Sequence, residues 1–297
     1  MIGNVSQLEN TTKPIVISFE SNFKENKNSK LFMQTLENHN WDYLFIGEGI
    51  KWEGFQTKIQ NYHNHLQKIP ENKIVILSDA RDVFCTRSPE SFINAIKNII
   101  DIDSKILISA ESFLLGFIDY TDEEYHALHN KNPNHFCQGI PLKKYWEHHN
   151  INPLPIRKYV NSGLITGTAK NLLKAFEWII ANNFKDDQHG FSHYTNEFPE
   201  KVYLDHSAEI LHTSTFGVCG GFNSVKQKYD SPTFAEILGM SSYFLHIPGL
   251  NISKGQLCIY NFTADLIKQT TINKLADLYN LKISDEIDYK FFDKTPK

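Results

Sequence analysis

Lys73-Ile-Val-Ile-Leu-Ser-Asp-Ala-Arg-Asp-Val83 is the stretch on which the fold turns. Its apolar run, Ile74 to Leu77, has the β-branched content and length of a strand buried on both faces. The run ends in two carboxylates, Asp79 and Asp82, spaced Asp-x-x-Asp. Ligands of open α/β sheets sit beyond the carboxyl ends of the strands. Two acids there can hold a hard divalent cation, and the cation can hold a diphosphate that carboxylates alone would repel. An acidic turn without a ligand has the same appearance, because Asp is a common turn residue.

On the N-terminal side of this strand, Pro14 to Phe19 reads as a strand, Ser29 to Glu37 as a helix and Trp41 to Ile46 as a strand. Phe55 to Gln67 has helical spacing at Ile59, Tyr62 and Leu66. On the C-terminal side, Ser88 suits an N-cap, Pro89 the first helical position and Glu90 the first turn. Phe92, Ile93, Ile96 and Ile100 would form the apolar face of that helix. A strand follows over Lys105 to Ala110. This alternation predicts an α/β fold, a mixed and mostly parallel sheet flanked by helices. Further on, Tyr159 to Thr166 reads as a strand and Lys170 to Asn182 as an amphipathic helix. Val202 to Leu204, Ile210 to Leu211 and Tyr243 to Ile247 read as short strands, and Asn273 to Leu278 as part of a terminal helix. One domain over 1–297 is expected, with a polar arm (1–13), an irregular excursion rich in His, Asn, Pro and Tyr (117–157) and a helical tail (263–297).

Composition narrows the function classes. A 297-residue chain with 22% charged and 41% hydrophobic residues needs no disulfide or metal to build its core. A net charge of -4 offers nothing to nucleic acid or to an anionic membrane. No apolar run approaches the roughly 18 residues of a spanning helix. The polar start lacks a secretory pattern, so a cytoplasmic protein is expected. Cys85, Cys137, Cys219 and Cys258 form no Cys-x-x-Cys pair, so free thiols are expected rather than structural zinc.

Four further clusters carry chemistry-bearing residue types. His246-Ile-Pro-Gly-Leu-Asn-Ile-Ser-Lys254 ends a strand; its imidazole could complete an Asp79/Asp82/His246 site, and imidazole with carboxylates suits Mn²⁺ better than Ca²⁺. Gly249 would permit close backbone approach, and Lys254 could neutralise a departing diphosphate. In Tyr159-Val-Asn-Ser-Gly163, Asn161 can bind sugar hydroxyls, although a tight strand connection explains the small residues equally well. Asp186-Asp187-Gln188 follows a helix; acids at a helix C-terminus oppose the macrodipole, which favours a functional explanation. In Gly47-Glu-Gly-Ile-Lys-Trp52-Glu-Gly54, Trp52 could pack on a nucleobase or serve as core. The remaining histidines, including His126, His129, His148 and His149, read as surface.

In this order, Trp52-x-Gly54…Lys58, Asp79-x-x-Asp82, Ile108-Ser-Ala-Glu-Ser-Phe113, Val160-Asn-Ser-Gly163, Asp186-Asp-Gln188, Leu204-Asp-His206 and His246-x-x-Gly…Lys254 resemble the glycosyltransferase domain of procollagen lysyl hydroxylases. They also resemble the collagen glycosyltransferases of giant viruses. The resemblance runs from about Pro14 to Phe262. It implies a GT-A type fold that uses a UDP-sugar and Mn²⁺, with Asp79, Asp82 and His246 as metal ligands. It implies donor contacts at Trp52, Ser78, Arg81, Gly249 and Lys254. Asp186 and Asp187 would be catalytic, and Glu111, Asn161, Ser162 and Gln188 would contact sugar or acceptor. UDP-glucose or UDP-galactose would be the donor, with retention at the anomeric carbon. The acceptor would be hydroxylysine or galactosyl-hydroxylysine of a collagen-like chain, or another glycan, in a host cytoplasm or virion if the chain is viral; a homodimer stays open. The pattern departs at Arg81, where the family has a Tyr that stacks on uracil, and at Leu114-Leu115-Gly116, where the family continues Cys-Trp-Pro. A metal-dependent nucleotidyltransferase is the rival enzyme, although no Gly-x-x-x-x-Gly-Lys loop is present. An inactive glycan-binding relative is the rival without catalysis.

Overall fold

Alternate residues of each central strand enter different cores. Ile15, Ile17, Val75 and Leu77 point to one side of the sheet, Val16 and Ile76 to the other. That is why Ile74 to Leu77 is apolar without interruption: a strand covered on both faces needs two buried rows. The computed structural model describes residues 2–4, 13–111, 140–155, 157–213, 242–246, 248, 256–257 and 282–283.

Among them the strands are β1 (Ile2–Asn4), β2 (Ile15–Phe19), β3 (Asp42–Ile46), β4 (Ile74–Ser78), β5 (Val83–Cys85), β6 (Ile106–Glu111), β7 (Tyr159–Thr168), β8 (Val202–Asp205), β9 (Leu211–Thr213) and β10 (Phe244–His246). They form one sheet in the order β1-β3-β2-β4-β7-β6-β9-β10-β5, with β8 beside β6. Five of its pairings are parallel and four antiparallel, so the sheet is mixed and mostly parallel. Gln256–Leu257 and Lys282–Ile283 form a separate parallel pair. Helices α2 (Phe55–Leu66), α4 (Lys143–His148), α5 (Ala169–Ala181) and α6 (Asp187–Glu197) cover one face; α1 (Lys27–Asn38) and α3 (Phe92–Lys97) cover the other. No helix among the described residues is long and apolar enough to cross a membrane.

Several boundaries differ from the sequence reading. The helix expected from Ser88 begins as a 3₁₀ turn, Pro89–Ser91, and Ser88 makes no side-chain cap; the α-helical part is Phe92–Lys97. β1, β5 and α6 were not expected, and α4 lies inside the segment read as irregular. The terminal helix, Gly249, Lys254, three of the four cysteines and residues 112–139 lie outside the described residues; Cys85 is a buried thiol.

Leu204-Asp205-His206 proves to be the end of β8 and the start of a turn. Both oxygens of the fully buried Asp205 are used, accepting from the backbone N–H groups of Glu209 (3.0 Å), Ile210 (2.9 Å) and Leu211 (2.8 Å). Asp205→Ala would strand these donors, each a buried loss of about 1–3 kcal/mol less what water recovers. The expected destabilisation in urea is about 3 kcal/mol. A loss below about 1 kcal/mol would mean that water replaces the carboxylate.

Candidate active site

The site lies where β2, β4, β6 and β10 end, and a β-bulge in β7 completes it. Strand β4 stops at Ser78, whose carbonyl accepts from Ser18 Oγ (2.9 Å) and Tyr62 Oη (2.8 Å) and whose hydroxyl donates to the Asp79 carbonyl (2.7 Å). Ser78 thus braces the strand end from inside, at 1% exposure. The Asp79 N–H donates to the Gly163 carbonyl at 2.8 Å. In the antiparallel pair of β5 and β10, His246 stands opposite Val83, the residue after Asp82. That register brings the late imidazole to the early acids. His246 Nε2 is 3.4 Å from Asp82 Oδ1 and 3.6 Å from Asp79 Oδ2, and one ligand atom from each of the three residues lies within 4.8 Å of the others.

These donors fit a divalent cation. Nε2 of His246 is buried without a hydrogen-bond partner, a costly state for a polar atom unless a ligand completes it. Burial by itself lowers the pKa of His246, but Asp82, Asp79 and Glu111 together raise it above the ordinary histidine value. Burial pushes Asp79 upward, and Lys58 and His246 more than reverse this, holding it below the usual carboxylate range. Gly163 is pressed against the ring. A Cβ there would stand 2.1 Å from His246 Cε1 and 2.4 Å from Nδ1.

Lys58, in the first turn of α2, was quoted in the motif string without a role. Its ammonium is buried between two acids, 2.5 Å from Asp79 Oδ1 and 2.8 Å from Asp187 Oδ2. Burial opposes the charge, but Asp187 and Asp79 prevail and raise the pKa of Lys58 well above its ordinary value. The pair Asp186-Asp187 sits at the start of α6, not at the end of α5. Asp186 is the N-cap, with Oδ1 accepting from His189 N at 2.8 Å, and Asp187 lies in the first turn. The macrodipole therefore favours both acids, which reverses the electrostatic argument drawn from the sequence. Burial and the neighbouring Asp187 charge push Asp186 up to about 7.

Glu111, Asn161, Ser162 and Gln188 form one buried network. Asn161 Nδ2 donates to Glu111 Oε2 (3.1 Å), Gln188 Nε2 to Glu111 Oε1 (2.8 Å) and the Ser162 N–H to Gln188 Oε1 (3.2 Å). Burial lifts Glu111 to about 7 in spite of these donors. Beside the acids a cleft of about 390 Å³ is lined by Phe19, Glu20, Trp52, Phe55, Lys58 and Asp79 to Asp82. Trp52 is 45% exposed and leans on Phe19 and Phe55. Arg81 is held flat by a bidentate pair to the buried Glu20 (2.7 and 2.9 Å). Nothing in the sequence signalled that pairing, since Glu20 ends a different strand.

No family model matches the chain. An uncharacterised protein, R699 of Acanthamoeba polyphaga mimivirus, is 23% identical over 190 residues, 61% of this chain and 35% of that protein. The chain thus spans about a third of the length of that relative. Among solved structures, a glycosyltransferase involved in glycosylation of the major capsid of PBCV-1 is similar at TM-score 0.42 and 12% identity. That match covers 80% of this chain and 95% of the other. The 4-diphosphocytidyl-2C-methyl-D-erythritol synthase of Anaerococcus prevotii matches at TM-score 0.37 and 16% identity, over 65% and 86% of the two chains. Both likenesses are remote, and the chemistry of the site stands on its own residues.

Proposed function

We propose that the protein is a Mn²⁺-dependent glycosyltransferase that moves glucose or galactose from a UDP-sugar to a hydroxyl acceptor. The acceptor would be hydroxylysine or galactosyl-hydroxylysine of a collagen-like chain, or a related glycan. One observation carries the reading: His246 meets Asp79 and Asp82, from which it is remote in sequence, beside a cleft walled by an exposed Trp and a braced guanidinium. Asp79, Asp82 and His246 would hold the cation, and two carboxylates with one imidazole are a donor set suited to Mn²⁺. When bound, the cation would supply positive charge to the diphosphate as the anomeric bond breaks.

The chain's own residues do the rest. Trp52 offers a flat face to a nucleobase, and Arg81 a planar cation in the same cleft. Lys58 pairs with Asp187 beside the acids, where the Asp187 carboxylate can accept from sugar hydroxyls. Asp186, with its carboxyl near 7, can exchange a proton with an acceptor hydroxyl at neutral pH. Gly249 and Lys254 are assigned to the diphosphate on the family resemblance alone.

Calorimetry tests the reading. UDP should bind in Mn²⁺ at least about tenfold more tightly than in EDTA, and mass spectrometry across UDP-sugars should then show one hexose transferred. Equal UDP affinity in chelator would defeat the metal reading. A preference for nucleoside triphosphates would favour the nucleotidyltransferase rival.

A further inference from the structure

Strand β7 does not pair evenly with β6. Ile108 stands opposite Ile165, yet the next residue, Ser109, stands opposite Asn161, so Ser162 to Leu164 bulge out of this ladder. A bulge releases backbone N–H groups from the sheet and bends the strand. Here the N–H groups of Ser162 and Gly163 turn to side chains, and their direction settles the hydrogen positions around the site.

A backbone N–H can only donate. The Gly163 N–H points at Oδ1 of Asn161, 2.9 Å away, so that atom is the amide oxygen and not the nitrogen. The amide nitrogen is then the atom 3.1 Å from Glu111 Oε2, which accepts. Gln188 is fixed by the same logic, with its oxygen on the Ser162 N–H and its nitrogen on Glu111 Oε1. Oδ1 of Asn161 also lies 2.9 Å from Nδ1 of His246. An amide oxygen has no hydrogen to give, so Nδ1 must donate. A neutral imidazole carries one hydrogen; with that hydrogen on Nδ1, the lone pair sits on Nε2. Nε2 is the orphaned atom that faces Asp82 and Asp79.

We infer that Asn161 is a positioning residue that assigns the lone pair of His246 to the side of the two acids, and that the β7 bulge is the device that orients Asn161. The inference rests on the cation-site reading above. It gives Asn161 and Glu111 a task within the protein, where the family resemblance would place them on the sugar. It also explains two buried amides on one carboxylate: Glu111 accepts from both and holds Asn161 from behind.

Long-range ¹H–¹⁵N correlation on protein labelled with [¹⁵N]histidine, free of metal, reads the ring directly. The pH should be alkaline enough to neutralise His246, whose proton Asp82 and Asp79 hold more tightly than usual. The wild type should show the Nδ1–H form, and Asn161→Ala should lose that preference and bind Mn²⁺ about 10–100-fold more weakly by electron paramagnetic resonance. Asn161→Asp, which keeps an acceptor, should retain the Nδ1–H form. An Nε2–H ring in the wild type, or an unchanged ring and unchanged Mn²⁺ affinity in Asn161→Ala, would overturn the inference. If Asn161→Ala fails to fold, the wild-type spectrum decides alone. Absence of Mn²⁺ binding in the wild type would defeat the proposed metal chemistry, and the spectrum would still judge the ring.

Discussion

Gly163→Ala is expected to abolish cation binding and cut turnover by about a hundredfold or more while the protein stays folded. The new methyl carbon would start 2.1 Å from His246 Cε1, and ordinary carbon contacts begin near about 3.5 Å. One partner must therefore move by more than 1 Å. The backbone at residue 163 is pinned by the Asp79 N–H on its carbonyl and by its own N–H on Asn161, so the ring yields. A displacement of that size takes Nε2 out of coordinating geometry, and misplacement by about 1 Å costs on the order of 10² in rate. Stability should fall by only about 1–3 kcal/mol, the usual cost of overpacking. Activity with and without added Mn²⁺, beside a urea melt, checks both halves. Wild-type turnover in Gly163→Ala would show that His246 is free to move and is not a ligand.

Lys58→Met should produce the largest loss of stability of any single change at the site. Removing the ammonium leaves Asp187, at 3% exposure, buried without its counter-charge. Breaking a buried pair from one side costs about 3–5 kcal/mol. Asp79 adds less, since its side chain is 35% exposed and water can screen it. Urea unfolding should therefore show a loss near 3 kcal/mol, mostly recovered when Asp187→Asn removes the stranded charge. Mn²⁺ should restore a smaller part by neutralising Asp79. A loss below about 1 kcal/mol, or no recovery in the double variant, would mean that the three groups are not coupled.

Much of this arrangement was legible before the fold was known. The two-sided apolar run at Ile74 to Leu77 and its terminal acids follow directly from local pattern, and so does the α/β alternation. The joining of His246 to those acids did not. It depends on β5, three residues long, pairing with β10 across most of the chain, and a strand that short leaves no periodic signal. Helix α6 was missed because its buried positions include Asp187, Gln188, Gly190, Ser192 and Thr195, so no apolar stripe marks it. Gly190, which lowers helix propensity, is needed where α6 meets α5: a Cβ there would lie 2.8 Å from Ile179. Missing α6 also inverted the macrodipole argument for Asp186. The partners of Lys58 and Arg81 were hidden for a different reason, since ion pairs between elements are set by packing and leave no trace in spacing.

The pairing of β5 with β10 bears on the order in which the molecule matures. A nascent chain halfway out of the ribosome already carries both carboxylates but not the imidazole, and contacts so far apart in sequence close slowly. If Asp79, Asp82 and His246 hold a cation as proposed, affinity for it would arise only once β10 has docked beside β5, and ion capture would report that this late pairing has formed.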